Sequence, residues 1–122
     1  MPARIVVVHD DLEFSEQLAG ALRSGGHDVA TYVDPLAAWD ALEAAKLVEV
    51  LVTRVEYSPG RSNGFALARM ARLKRPQIKV LFTALPEHAE NAADLGEFLP
   101  MPVSVEDTIE AITGLLDGQN KI

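Results

Sequence analysis

Ile5-Val6-Val7-Val8 is an unbroken β-branched run near the start of the chain, the pattern of a strand covered on both faces, as in parallel sheets. Beyond His9-Asp10-Asp11, Phe14, Leu18, Ala21 and Leu22 recur at helical spacing, and Gly25-Gly26 supplies the stop. The pattern then repeats. Val29 to Val33 predicts a second strand, and Asp34-Pro35 is a helix start with an N-cap followed by proline in the first turn. Ala38, Ala41, Leu42 and Ala45 form that helix's inner stripe. Val48 to Thr53 predicts a third strand, and the polar loop after it holds Ser58-Pro59-Gly60 and Ser62-Asn63-Gly64. A third helix is predicted from about Phe65 to Lys74, with Ala66, Met70 and Leu73 inward and Pro76 ending it.

Ile78 to Phe82 predicts strand four. Pro86 to Leu95 reads as a helix with alanine where the others carry leucine, so little apolar area anchors it and it should be the most mobile. Phe98-Leu99 begins a fifth strand that Pro100 and Pro102 confine to a sheet edge. Ser104, with Asp107 three residues on, opens a last helix with Val105, Ile109, Ile112 and Leu116 inward and Gly118 at its end. Five strands alternating with five helices predict an α/β fold, a doubly wound parallel sheet with right-handed crossovers.

The 122 residues are one domain's worth, and the alternation consumes residues 1–122 without leaving a linker or an output domain. Cysteine is absent, which removes thiol chemistry and cysteine-ligated zinc. No apolar run has bilayer-spanning length and no signal peptide precedes the first strand, so a cytoplasmic chain is expected. The net charge of −7 disfavours nucleic acid and anionic membrane as partners. That average hides an asymmetry. Between Arg54 and Lys79 seven basic residues face Glu56 alone, giving +6, while the rest of the chain carries −13. Arg61, Arg69, Arg72 and Arg75 mark this basic stretch as a solvated helix face or a contact surface for an acidic partner or another copy.

In doubly wound sheets the site lies at the carboxyl ends of the strands. Those ends hold His9-Asp10-Asp11, Thr53-Arg54, Thr83-Ala84 and Met101-Pro102. Ile5 to Asp11, Leu81-Phe82-Thr83-Ala84 and Phe98-Leu99-Pro100-Met101-Pro102 together resemble the receiver domain of bacterial response regulators, and the resemblance covers nearly the whole chain. It implies a flavodoxin-like fold, strand order 2-1-3-4-5, in a two-component or phosphorelay system. Asp10 takes the family's second acidic place and His9 the first. Thr83 takes the switch hydroxyl, Phe98 the switch aromatic, and Met101 the place of the lysine before a cis-proline pattern. Arg54 falls where an aspartate accepts the phosphoryl group, with Thr53 there if the register slips by one.

Phosphoryl transfer to a receiver needs a carboxylate nucleophile, a magnesium ion held by further carboxylates, and a lysine. His9, Arg54 and Met101 supply none of these, so neither Mg2+ nor another cofactor is expected and the domain is read as non-enzymatic. A guanidinium beside Asp10 could replace the metal's charge, or Arg54 could point to solvent while Asp10 caps the first helix. The leading reading is a degenerate receiver acting by phosphorylation-independent contact. Its expected surface is helices four and five with strand five, and its expected partner a histidine kinase, another regulator, an output protein or a second copy. A second reading keeps phosphorylation on a substitute carboxylate, with Glu56 foremost and Asp10 or Asp11 behind it. A third is a small-molecule-binding flavodoxin-like domain, for which no glycine-rich phosphate loop follows strand one. His27 and His88 carry no signal, Trp39 reads as a flank of helix two, and Thr83 and Phe98 each have an ordinary packing reading.

Overall fold

The computed structural model describes residues 4–44, 47–56 and 63–119. The order is β1 (Arg4–Val8), α1 (Leu12–Ser24), β2 (Asp28–Tyr32), α2 (Pro35–Ala44), β3 (Val50–Thr53), α3 (Gly64–Lys74), β4 (Lys79–Ala84), α4 (Ala89–Ala92), β5 (Glu97–Pro100) and α5 (Val105–Gln119). All strands are parallel, in the order β2-β1-β3-β4-β5, so β1, β3 and β4 are paired on both sides and β5 lies at an edge. That interior position is why the sequence of β1 shows no alternation. Val6 and Val8 join one core and Ile5 and Val7 the other, and all four are buried.

The two cores lie on opposite faces of the sheet. On one, Ala38 and Leu42 of α2, Leu67, Ala68 and Ala71 of α3 and Ala92 of α4 pack on Leu51, Val80 and Phe82. On the other, Leu18, Ala19 and Leu22 of α1 and Ile112 of α5 close over Val50, Val52 and Leu81. Each large aliphatic side chain so buried stabilises the fold by about 1.5–3 kcal/mol.

Several helix details correct the sequence reading. In α3 the inward stripe is Leu67, Ala68 and Ala71, while Met70 is exposed and Leu73 is 84% exposed. Gly64, seated against the Arg54 carbonyl, sets the rotation of the helix: Leu67, Ala68 and Ala71 follow it onto the core face at helical spacing, and Met70 and Leu73 fall outside that face. In α1, Ala19 is buried in place of Ala21. The helix expected over Pro86 to Leu95 is a 3-10 turn, Pro86–His88, followed by the single turn α4, with Ala92 as its one buried side chain. Ala45 of the expected α2 stripe lies outside the described residues.

Four caps fix where helices begin at the carboxyl end of the sheet. Asp11 Oδ1 accepts from Phe14 N at 3.2 Å, Asp34 Oδ1 from Leu36 N and Ala37 N at 2.9 and 3.1 Å, and Asn63 Oδ1 from Ala66 N at 2.8 Å. Ser104 Oγ does the same for α5, accepting from Asp107 N at 3.0 Å.

Candidate functional site

The register of β1 and β3 sets the geometry of the site. Val8 lies opposite Thr53, and Arg54 N donates to Val8 O at 3.4 Å, so Arg54 is the first residue past β3, level with the His9-Asp10 turn. Thr53 is fully buried and its hydroxyl donates to Arg54 O at 2.8 Å. It therefore stands away from the surface. Arg54 reaches outward, and its Nη1 donates to Asp10 Oδ1 at 2.8 Å. A charge-assisted contact of this length occupies the carboxylate with a cation already attached to the chain.

The backbone of Arg54 is held from below by α3. Gly64 N donates to Val55 O at 2.9 Å, and a Cβ on Gly64 would come within 1.8 Å of Arg54 O. Only glycine permits that approach.

His9 is 5% exposed and its Nδ1 accepts from Asp11 N at 3.0 Å. The ring proton therefore sits on Nε2 and the imidazole is neutral, so its 3.8 Å approach to Asp10 Oδ1 is not an ion pair. Burial holds its pKa below the ordinary value; the Arg54 cation adds to this, and Asp10 and Asp11 oppose it. The ring stacks at 4.8 Å, tilted, on Phe14. This is a packing histidine at a strand end.

Glu56 Oε1 lies 2.8 Å from His88 Nε2, which joins the loop after β3 to the turn after β4. Phe65 supports the pair from beneath, with its ring 6.2 Å from His88 and 5.2 Å from Phe82. His88 carried no signal in the sequence, because its partner lies 32 residues away across two loops. Thr83 is fully buried at the end of β4, and its hydroxyl has no hydrogen-bond partner among the described residues. Phe98 is half-buried against the α2/α3 core. Met101 N donates to Ala84 O at 2.8 Å, and the Met101–Pro102 peptide is cis.

The structure gathers His9, Asp10, Asp11 and Arg54 at one end of the sheet, with Glu56 on the loop beside Arg54. The donor set does not fit magnesium. That hard ion takes oxygen ligands, whereas His9 offers a buried nitrogen, Asp10 holds Arg54, Asp11 caps α1 and Glu56 meets His88. Among the described residues no three acidic or imidazole side chains converge to hold a metal.

The expected basic face is narrower than its sequence spacing implied. Arg69 is exposed, but Arg72 is half-buried and its Nε donates to Leu95 O at 2.8 Å, tying α3 to the segment after α4. Arg75 is half-buried as well. A three-residue step turns about 300° around a helix, so each arginine stands about 60° round from the one before, and the row runs from the exposed side of α3 towards its flank. Arg61 lies outside the described residues. No helix among the described residues is long and apolar enough to cross a membrane.

No protein-family model matches the chain. Solved structures match it along its length. A response regulator receiver domain protein, CheY-like, from Methanospirillum hungatei superposes with a TM-score of 0.85 at 20% identity, covering 98% of both chains. The non-phosphorylated HemR receiver domain from Leptospira biflexa gives 0.81 at 23% identity, covering 93% of each. The receiver domain of the hybrid histidine kinase CckA gives 0.76 at 26% identity, covering 93% of this chain and 99% of that one. The fold is that of response-regulator receiver domains.

Proposed function

We propose that this receiver-fold domain is a degenerate signalling module of a two-component or phosphorelay system, working by protein contact without phosphoryl chemistry. One observation carries the reading: Arg54, which the resemblance to receivers sets at the phosphoryl-accepting position, donates to Asp10 at 2.8 Å. A guanidinium is no phosphoryl acceptor, and it brings to Asp10 the positive charge that magnesium brings in an active receiver. His9 and Met101, which the same resemblance sets at the positions of an acidic ligand and of the lysine, support the reading in the same direction. The residues that remain at the site hold a backbone shape: Arg54 ties the loop after β3 to the turn after β1, and Glu56 ties the same loop to the turn after β4.

A domain with this arrangement presents one surface continuously. Its partners would be a kinase, another regulator or an output protein that binds the receiver surface irrespective of phosphorylation. The test is incubation with magnesium and a small phosphodonor, read by intact mass. The expected result is an unchanged mass. A stable added phosphate would sink the proposal and transfer the acceptor role to Glu56, Asp10 or Asp11, which mapping by proteolysis would distinguish.

A further inference from the structure

All the large hydrophobic side chains that stand exposed among the described residues fall into two groups, one at each end of the sheet. Leu12, Val33, Leu36 and Leu85 lie at the carboxyl end, Leu12 and Leu36 in the first turns of α1 and α2, and Val33 and Leu85 on the turns after β2 and β4. Leu47, Met70 and Leu73 lie towards the other end, where α2 and α3 finish side by side. The exposure is large: 61% for Leu12, 67% for Leu36, 58% for Leu47 and 84% for Leu73. A scattered apolar residue needs no explanation, but two clusters and no others is a pattern.

The charge around Met70 and Leu73 is basic and that at the carboxyl end is acidic, while Leu47 stands between the acids Glu43 and Glu49. From Gly64 to Lys79 the chain holds five basic residues and no acid, and the exposed ones, Arg69 and Lys74, flank Met70 and Leu73. At the carboxyl end Asp11 and Glu13 adjoin Leu12, Asp34 lies between Val33 and Leu36, and Glu87 follows Leu85. Arg54 is the one base there among the described residues, and it faces Asp10. One chain therefore carries an acidic apolar surface at one end and, towards the other, a basic apolar surface on α3 formed by Arg69, Met70, Leu73 and Lys74.

We infer that these surfaces are complementary halves of one interface, through which the carboxyl-end turns of one copy dock on the α2/α3 end of a second copy. The association is heterologous, head to tail, because the two surfaces lie at opposite ends of parallel strands. Apolar side chains at its centre exclude water, and the opposed charges orient the encounter and make it weaken with salt. The inference stands apart from the absence of phosphoryl chemistry, since His9, Arg54 and Met101 are not among the apolar side chains it brings into contact.

The experiment is sedimentation velocity on the 122-residue chain across concentration and ionic strength, with two variants. Leu73→Glu with Lys74→Glu spoils the basic end; Leu12→Ser with Leu36→Ser spoils the acidic end. All four positions are exposed, and circular dichroism and urea midpoints establish that each variant folds; Leu73→Ser and Leu36→Ser serve singly where a double variant does not. The wild-type chain is expected to form oligomers that shorten as salt rises. Each variant alone is expected to associate at least about tenfold more weakly, and their equimolar mixture to stop at a 1:1 dimer, since one intact head then meets one intact tail. A wild-type chain that stays monomeric at low salt and high concentration overturns the inference. So does association that neither variant weakens, or a mixture that remains monomeric.

Discussion

At the scale of single residues, the carboxyl end of the sheet holds side chains whose environments make opposite predictions. His9 is neutral in the fold and its pKa lies below the ordinary histidine value, with burial the main cause. The unfolded chain therefore takes up a proton that the folded chain refuses as pH falls below about 6.5, and stability drops by up to about 1.4 kcal/mol per pH unit until the folded pKa is reached. Urea titrations at pH 7, 6 and 5 should show this slope in the wild type and a flatter one in His9→Asn. Equal slopes would mean that His9 is as easily protonated folded as unfolded. Thr83 presents the reverse situation, since its buried hydroxyl lacks a hydrogen-bond partner among the described residues. Replacing it with the near-isosteric valine removes a desolvated polar group, so Thr83→Val should raise stability by about 1 kcal/mol in denaturant unfolding. A loss of stability would reveal a hydroxyl that the core depends on.

At the scale of elements, the close approach of α3 to the end of β3 governs the position of Arg54. A methyl group at residue 64 would overlap the Arg54 carbonyl, so Gly64→Ala must push the helix start or the strand end aside. The expected cost is about 1–3 kcal/mol in unfolding free energy, with weakened Asp10–Arg54 pairing visible as changed chemical shifts at both residues. An alanine variant of wild-type stability would show that the helix start yields freely. Strands were the most legible elements, because β1, β3 and β4 are runs of β-branched and aliphatic residues that only a doubly covered sheet accommodates. The face of α3 was harder to read. Met70 and Leu73 form as good a stripe as Leu67 and Ala71, and the deciding factor, the seating of Gly64 against the Arg54 carbonyl, is a property of packing. The contact between Glu56 and His88 was illegible for a related reason: two loops bring it together, and loops carry no periodicity. Arg54 and Asp10 are 44 residues apart, and the gathering of carboxyl strand ends in a doubly wound sheet, with the resemblance of their flanking motifs, placed them at one site.

At the scale of the whole molecule, the two cores on either face of the sheet are unequal in their dependence on the chain's last helix. The α1 side is closed by α5, whose Ile112 is fully buried and whose Val105, Ile109 and Leu116 pack around it. Ending the chain before Val105 would uncover Val50 and Val52 of β3 and Leu81 of β4 together. Such a truncation should keep helical far-ultraviolet dichroism, bind an apolar dye and lose its cooperative urea transition. A sharp two-state transition in the truncated chain would show that α5 is dispensable to the core. The same asymmetry matters while the protein is being made. The α2/α3 face has all its buried side chains once Ala92 has emerged from the ribosome, whereas the opposite face waits for Ile112. At about 5–20 residues per second that interval lasts roughly 1–4 s, during which a nascent sheet with one finished side offers its bare side to chaperones or to neighbouring chains.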